Sequence, residues 1–232
     1  MTLKRKKIEM AKKKPMLEKA SRLMVEDFEP RTQNQENCVI SIAENVVTII
    51  TGPSGSGKTA ISCGMASSYL CDGKVEKIFI TRPMVQASKG NNTLGALKGD
   101  LDEKFLPYMT PLIEELERFL GKETFRKYIM QEIIQIVPIE LCRGRNLANT
   151  FIIVDESQNC TYEQIVLMLT RIDKGSKFVM VGDTKQSDIK GGGFAEVINK
   201  IKNVKDLGIC FLDINDIQRH EIVGNILRAL EE

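Results

Sequence analysis

Gly52-Pro53-Ser54-Gly55-Ser56-Gly57-Lys58-Thr59 decides the fold, and the chain on either side is built as that stretch requires. Val46-Val47-Thr48-Ile49-Ile50-Thr51 ahead of it is a β-branched run that reads as a buried strand. Lys58 to Cys71 behind it reads as a helix that stops at Gly73. A glycine-rich turn from strand into helix leaves successive backbone N–H groups unpaired at the positive end of the helix dipole, which suits phosphate. A side chain at Gly52 or Gly57 would clash with the bent backbone or with the phosphates. Lys58 supplies a mobile charge for the outer phosphates, and Thr59 a hydroxyl for Mg²⁺. The cradle residues Gly52, Pro53, Ser54, Gly55, Ser56, Gly57, Lys58 and Thr59 are therefore expected to bind a nucleotide such as ATP.

A triphosphate site also needs one carboxylate to hold the metal and usually a second to orient the attacking water. Phe151-Ile152-Ile153-Val154-Asp155-Glu156 is an apolar strand ending in two acids. Neighbours on a strand point to opposite faces, but at its end the chain is turning, so both acids can reach the site. Asp155 is assigned to the metal and Glu156 to the water. A further strand, Lys177 to Asp183, also ends in a carboxylate, and Gln186 three residues on can hydrogen-bond a γ-phosphate or the lytic water. Thr161-Tyr162-Glu163-Gln164 is a capping box for a structural helix running to Ile172, with Gly175 beyond it.

These residues resemble superfamily-one helicase motifs carried on a single RecA-like domain. The phosphate loop, the Asp155-Glu156-Ser157-Gln158-Asn159 box and the Gly182-Asp183-x-x-Gln186 box are the core of the match. The closer resemblance is to the PhoH-like ATPases, over segments from about Pro30 to the C-terminus. Those segments include Thr32-Gln33-Asn34-Gln35, Thr81-Arg82-Pro83, Leu94-Gly95-x-Leu97-x-Gly99-Asp100, Arg143-Gly144-Arg145 and Arg219-His220. The resemblance implies a P-loop NTPase with an α/β three-layer sandwich, a mainly parallel central sheet, and Mg²⁺-dependent ATP hydrolysis. It also implies that Gln35 reads the adenine edge and that Arg219 neutralises charge on the transferring phosphate, with Arg171 as the second choice. As an ordinary surface residue, Gln35 would simply open a helix from Glu36 to Asn45, and that alternative stays open. His220, the only histidine, is expected to be a packing neighbour. Two positions depart from the family pattern: Ser157 stands where alanine is usual, and Gln218 replaces a common aliphatic residue beside Arg219.

A chain of 232 residues is long enough for one domain whose core needs no staples. Six cysteines without a C-x-x-C pair read as reduced core thiols of a cytoplasmic protein, and the sequence shows neither a membrane span nor a signal peptide. Residues 1–22 carry nine lysines and arginines against two glutamates, while the whole chain is +2, so the remainder is mildly acidic. Residues 1–29 are read as a basic helical arm and 30–232 as the ATPase domain. The arm is a handle for nucleic acid, a solubilising tail, or a grip on a neighbouring subunit.

Strands are expected near 46–51, 77–81, 133–137, 151–155, 177–182 and 208–212. Between Arg82 and Met130 the second half reads as helix, with Pro111 suited to a first turn. The first half, Arg82 to Asp100, reads as a functional loop. Arg82, Lys98, Arg143 and Arg145 are the candidates for contact with a phosphate backbone. The leading expectation is an ATPase acting on RNA or single-stranded DNA. Superfamily helicases close ATP between two RecA-like domains, so a chain with one implies an oligomer, a ring such as a hexamer, with ATP at its interfaces. A small-molecule kinase or a nucleotide-gated regulator with little turnover are the competing classes.

Overall fold

The computed structural model describes residues 25–84, 101–184, 186, 193–218, 222 and 226. The proposed arm, Lys98, Arg219 and His220 fall outside them, apart from residues 25–29. Six strands form one parallel sheet: β1 Val47–Thr51, β2 Lys77–Thr81, β3 Ile134–Ile136, β4 Thr150–Val154, β5 Lys177–Gly182 and β6 Leu207–Phe211. Their order across the sheet is β3-β2-β4-β5-β1-β6. The β-branched runs become its central strands, and every residue of β4 is buried. Burial on both faces is what an apolar run without alternation demands.

Helices α1 Gln33–Glu44, α2 Lys58–Cys71, α3 Leu101–Leu120 and α4 Lys122–Met130 contribute to an apolar cluster that includes Ile42, Leu70, Phe119, Phe125 and Ile153. Helices α5 Tyr162–Leu169 and α6 Gly193–Ile201 join a second cluster containing Met168, Phe178, Phe194 and Ile152. Because Ile152 and Ile153 are strand neighbours pointing to opposite faces, the two clusters lie on the two sides of the sheet. The result is a helix–sheet–helix sandwich.

Two helices differ from expectation. Pro111 does not begin a helix: α3 runs through both Pro107 and Pro111. Each proline removes an intrahelical donor, and burial of Phe105, Met109, Leu112, Leu116 and Phe119 along one stripe holds the helix together regardless. Helix α5 ends at Leu169 rather than Ile172. There the chain is diverted into a parallel bridge between Leu147 and Ile172, with Leu147 N–H donating to the Arg171 carbonyl. The capping box at Thr161 and Gln164 forms as expected. Residues 25–29 lie against the domain: Val25 N–H donates to the Phe119 carbonyl, and the Phe28 ring meets the Phe119 ring edge-on. That strap fits because residue 64 is glycine, where an added Cβ would come within 2.5 Å of Phe28.

Parallel pairing puts all the strand carboxyl ends on one rim. Thr81 is level with Val154, and Thr51 lies between Gly182 and Phe211. The ladder continues one step past the strands, with Asp155 N–H donating to Thr81, Gly52 N–H to Gly182, and Leu212 N–H to Thr51. This fixes the roots of the loops that follow β1, β2, β4, β5 and β6.

Candidate functional site

Above that rim lies a cleft of about 930 Å³ lined by the phosphate loop, Arg82, Asp155, Glu156, Asp183 and Gln186, among others. The loop leaves β1 at Gly52, where a Cβ would sit 2.6 Å from the Leu212 carbonyl oxygen. It enters α2 through Gly57 in the left-handed region at φ 92°. Both glycines are thus required by the protein's own backbone before any ligand is considered. The Lys58 ammonium donates to the Gly52 and Pro53 carbonyls at 2.7 and 2.9 Å, which keeps it inside the loop. Burial lowers its pKa, opposed by the charges of Asp183, Glu156 and Asp155. Thr59 follows in the first turn of α2 and also lines the cleft.

Both acids at the end of β4 face this cleft, and the backbone explains how. Glu156 adopts φ 50°, ψ 41°, a left-handed conformation uncommon for a residue with a Cβ, and so turns the chain one residue past Asp155. Burial, then Glu156, pushes the Asp155 carboxyl up to about 6, with Arg82 pulling the other way. The Arg82 guanidinium lies 3.8 Å from Asp155 and 3.3 Å from Glu156, and donates to the Tyr108 carbonyl of α3 at 2.6 Å. Arg82, a candidate for contact with a phosphate backbone, lines the cleft, and its described contacts are with the two acids and with α3. Gln158, not assigned a role from the sequence, donates from Nε2 to the Glu156 carboxylate and accepts from Asp183 N–H at Oε1. It therefore ties the ends of β4 and β5 together. Ser157, the departure from the family's alanine, is buried with its hydroxyl donating to the Val154 carbonyl, so the change leaves no polar group without a partner.

On the far side of the loop, Gln35 is 2% exposed. Its Nε2 donates to the Ser56 carbonyl at 3.0 Å and its Oε1 accepts from Arg31 N–H at 2.8 Å. A primary amide has two donors and two acceptor lone pairs, so one of each remains for a ligand edge. Asp216, missed in the sequence, fastens this wall. It accepts from the Thr32 hydroxyl, from Asn34 Nδ2 and from Asp213 N–H, and so joins the start of α1 to the turn after β6. Gln218 N–H donates to the Gly55 carbonyl, anchoring the segment that leads to Arg219. A local capping box with Asp213 marks Asp216, but no local pattern marks its contacts with Thr32 and Asn34, 184 and 182 residues away.

Gln186 is exposed at the cleft, with its N–H donating to the Asp183 carbonyl. Arg143 and Arg145 do not line it. Arg143 is exposed, while Arg145 stacks over Phe79 and bonds to Gln135. Arg171 is spent on the Leu167 and Arg145 carbonyls. Among the described residues, no group of three or more His, Cys, Asp or Glu could hold a metal alone. Magnesium on a nucleotide takes only one or two protein ligands besides phosphate and water. Thr59 and the buried, incompletely compensated Asp155 fit that donor set. No described helix is long and apolar enough to cross a membrane.

A parallel sheet between two helical layers, with a glycine-rich phosphate loop leading from β1 into α2, is a P-loop fold. The large terminase of a thermophilic bacteriophage is similar over 86% of this chain and 50% of its own, with TM-score 0.53 and 15% identity, a likeness of fold. Residues 27–231 match the family described as PhoH-like protein, and the chain belongs to that family. It is 36% identical over 203 residues to the PhoH-like protein of Mycobacterium tuberculosis strain H37Rv, 86% of this chain and 57% of the relative. Against the PhoH-like protein of Bacillus subtilis strain 168 the identity is 35%, covering 87% and 63%. Against Protein PhoH of Escherichia coli K12 it is 32%, covering 86% and 57%. The chain thus spans roughly three-fifths of the length of these relatives.

Proposed function

We propose that this protein binds ATP with magnesium and hydrolyses it, as an ATPase whose turnover is coupled to RNA or single-stranded DNA. What carries this reading is the convergence in one cleft of the phosphate loop with Lys58 and the two acids that end β4. Phosphoryl transfer asks a protein chiefly for positioning and charge compensation, and each residue here has such a part. The N–H groups of the loop and the start of α2 hold the β- and γ-phosphates, and Lys58 adds a cation to them. Thr59 and Asp155 would hold magnesium, which would offset the negative charge of the phosphates. Glu156, held by Gln158, orients the attacking water. Gln186 reports the γ-phosphate, Gln35 reads the adenine edge, and Arg219 supplies the cation for the transferring group.

The cleft is built on a single sheet, and in this reading another copy of the chain supplies its second wall, giving an oligomer with nucleotide at its interfaces. Hydrolysis rather than transfer to a metabolite fits a water-orienting acid backed by an amide. The test is ATPase activity on material of measured assembly state, with and without RNA or single-stranded DNA. Glu156→Gln should bind ATP with near-parental affinity while kcat falls by about 10²-fold or more. Parental turnover in that variant would remove Glu156 from the water. No hydrolysis by the parent under any of these conditions would overturn the ATPase reading.

A further inference from the structure

Arg82 occupies a position that the proposed chemistry does not use. It leaves the end of β2, is 19% exposed, and contacts three groups at once: the Glu156 and Asp155 carboxylates and the Tyr108 carbonyl. A guanidinium cannot shed its charge in a protein. Among the described residues it is the cation that makes ion pairs with both acids, while the Lys58 ammonium donates to the loop carbonyls. A divalent cation on Asp155 would compensate the same two acids, and two cations facing one acid pair repel. The third contact falls at a weakened place in α3, since Tyr108 lies between Pro107 and Pro111, the two residues that give the helix no N–H donor.

We propose that Arg82 is a positioning residue: it holds the Asp155 and Glu156 carboxylates in the nucleotide-free cleft and yields them as a magnesium nucleotide enters, releasing the Tyr108 carbonyl as it moves. Nucleotide occupancy is thereby passed to α3. This role rests on the nucleotide-binding reading above. It differs from the backbone contact expected of Arg82 from the sequence, and from a merely structural ion pair, because it ties Arg82 to the difference between metal-loaded and metal-free nucleotide.

The test is calorimetric binding of ADP to the full chain, in magnesium and in excess chelator, for the parent, Arg82→Gln and Arg82→Lys. Without metal, nucleotide phosphates must sit beside two acids whose described ion pairs are both made by Arg82. Arg82→Gln should therefore weaken metal-free ADP binding by about tenfold or more while leaving magnesium ADP within a few-fold of the parent. Arg82→Lys restores part of the loss, since an ammonium keeps the charge but not the fork. Amide exchange across residues 105–112 should rise when magnesium ADP is added to the parent, and should be raised already in Arg82→Gln. Equal weakening with and without metal, or exchange indifferent to nucleotide in the parent, would overturn the role of Arg82 and leave ATP binding standing. A parent that binds no ADP in either condition would overturn both.

Discussion

Burial and the adjacent Glu156 raise the Asp155 carboxyl from 3.8 to about 6, and this has a sign that melting experiments can read. A group whose folded pKa lies above its unfolded one takes up protons on folding across that interval, so the contribution of Asp155 to stability is greatest below about pH 4 and falls as pH rises through 6. At neutral pH the ionised, buried Asp155 costs the nucleotide-free protein up to ~3 kcal/mol. Asp155→Asn should therefore raise Tm above pH 6, by several degrees for a domain of this size, and the gain should vanish near pH 4. A gain independent of pH would mean that the carboxyl carries no such penalty. The same substitution should abolish magnesium-dependent hydrolysis, because an amide is a poor partner for magnesium. A residue that harms the empty fold and serves the loaded one is what a site held ready for a cation requires. The left-handed backbone at Glu156 has the same character, a local strain that turns the second acid into the cleft.

Between elements, the least visible feature is the latch at Asp216, where one carboxylate joins the start of α1 to the turn after β6. Hydrogen bonds to a buried charge are worth ~1.5–3 kcal/mol each, and removing the acceptor leaves the Asn34 amide and Asp213 N–H without partners, so Asp216→Ala should destabilise by about 3 kcal/mol. It should also weaken ATP binding by more than the lost fraction of folded protein explains, since Gln35 rides on α1; equal ATP affinity in a folded variant would divorce the latch from the site. Elements of this kind separate what could be read in the chain from what could not. The apolar runs at Ile49, Phe151 and Phe178 announce a parallel sheet because nothing but burial on both faces suits them. The phosphate loop declares its strand and helix through its glycines, and the acid pair follows from where β4 must end. Asp216, the Phe28 strap over Gly64 and the Arg82 contacts are tertiary pairings, invisible to any periodicity. The path of α3 through two prolines is a case of packing overriding local propensity.

At the scale of the whole molecule, charge is the feature that the fold does not explain. Residues 1–22 hold nine basic side chains while the rest of the chain is net acidic, and the exposed Arg143 lies outside the cleft. If the basic segment grips a polynucleotide, its lysines replace counterions on phosphate. The logarithm of the binding constant then falls linearly with the logarithm of salt, with a slope near about −0.7 per phosphate contacted on a single strand. Deleting residues 1–22 should accordingly make that slope shallower by several contacts and weaken binding most at low salt. Basal ATP turnover should survive, since the loop, both acids and the Asp216 latch all lie beyond the deletion. Fluorescence anisotropy with a labelled oligonucleotide, titrated at several salt concentrations beside an ATPase assay, measures both quantities on the same material. An unchanged slope with unchanged turnover would assign the segment to something other than nucleic acid. A lost slope with lost turnover would instead make the segment part of the catalytic assembly, as expected if it grips a neighbouring copy to complete the open side of the cleft.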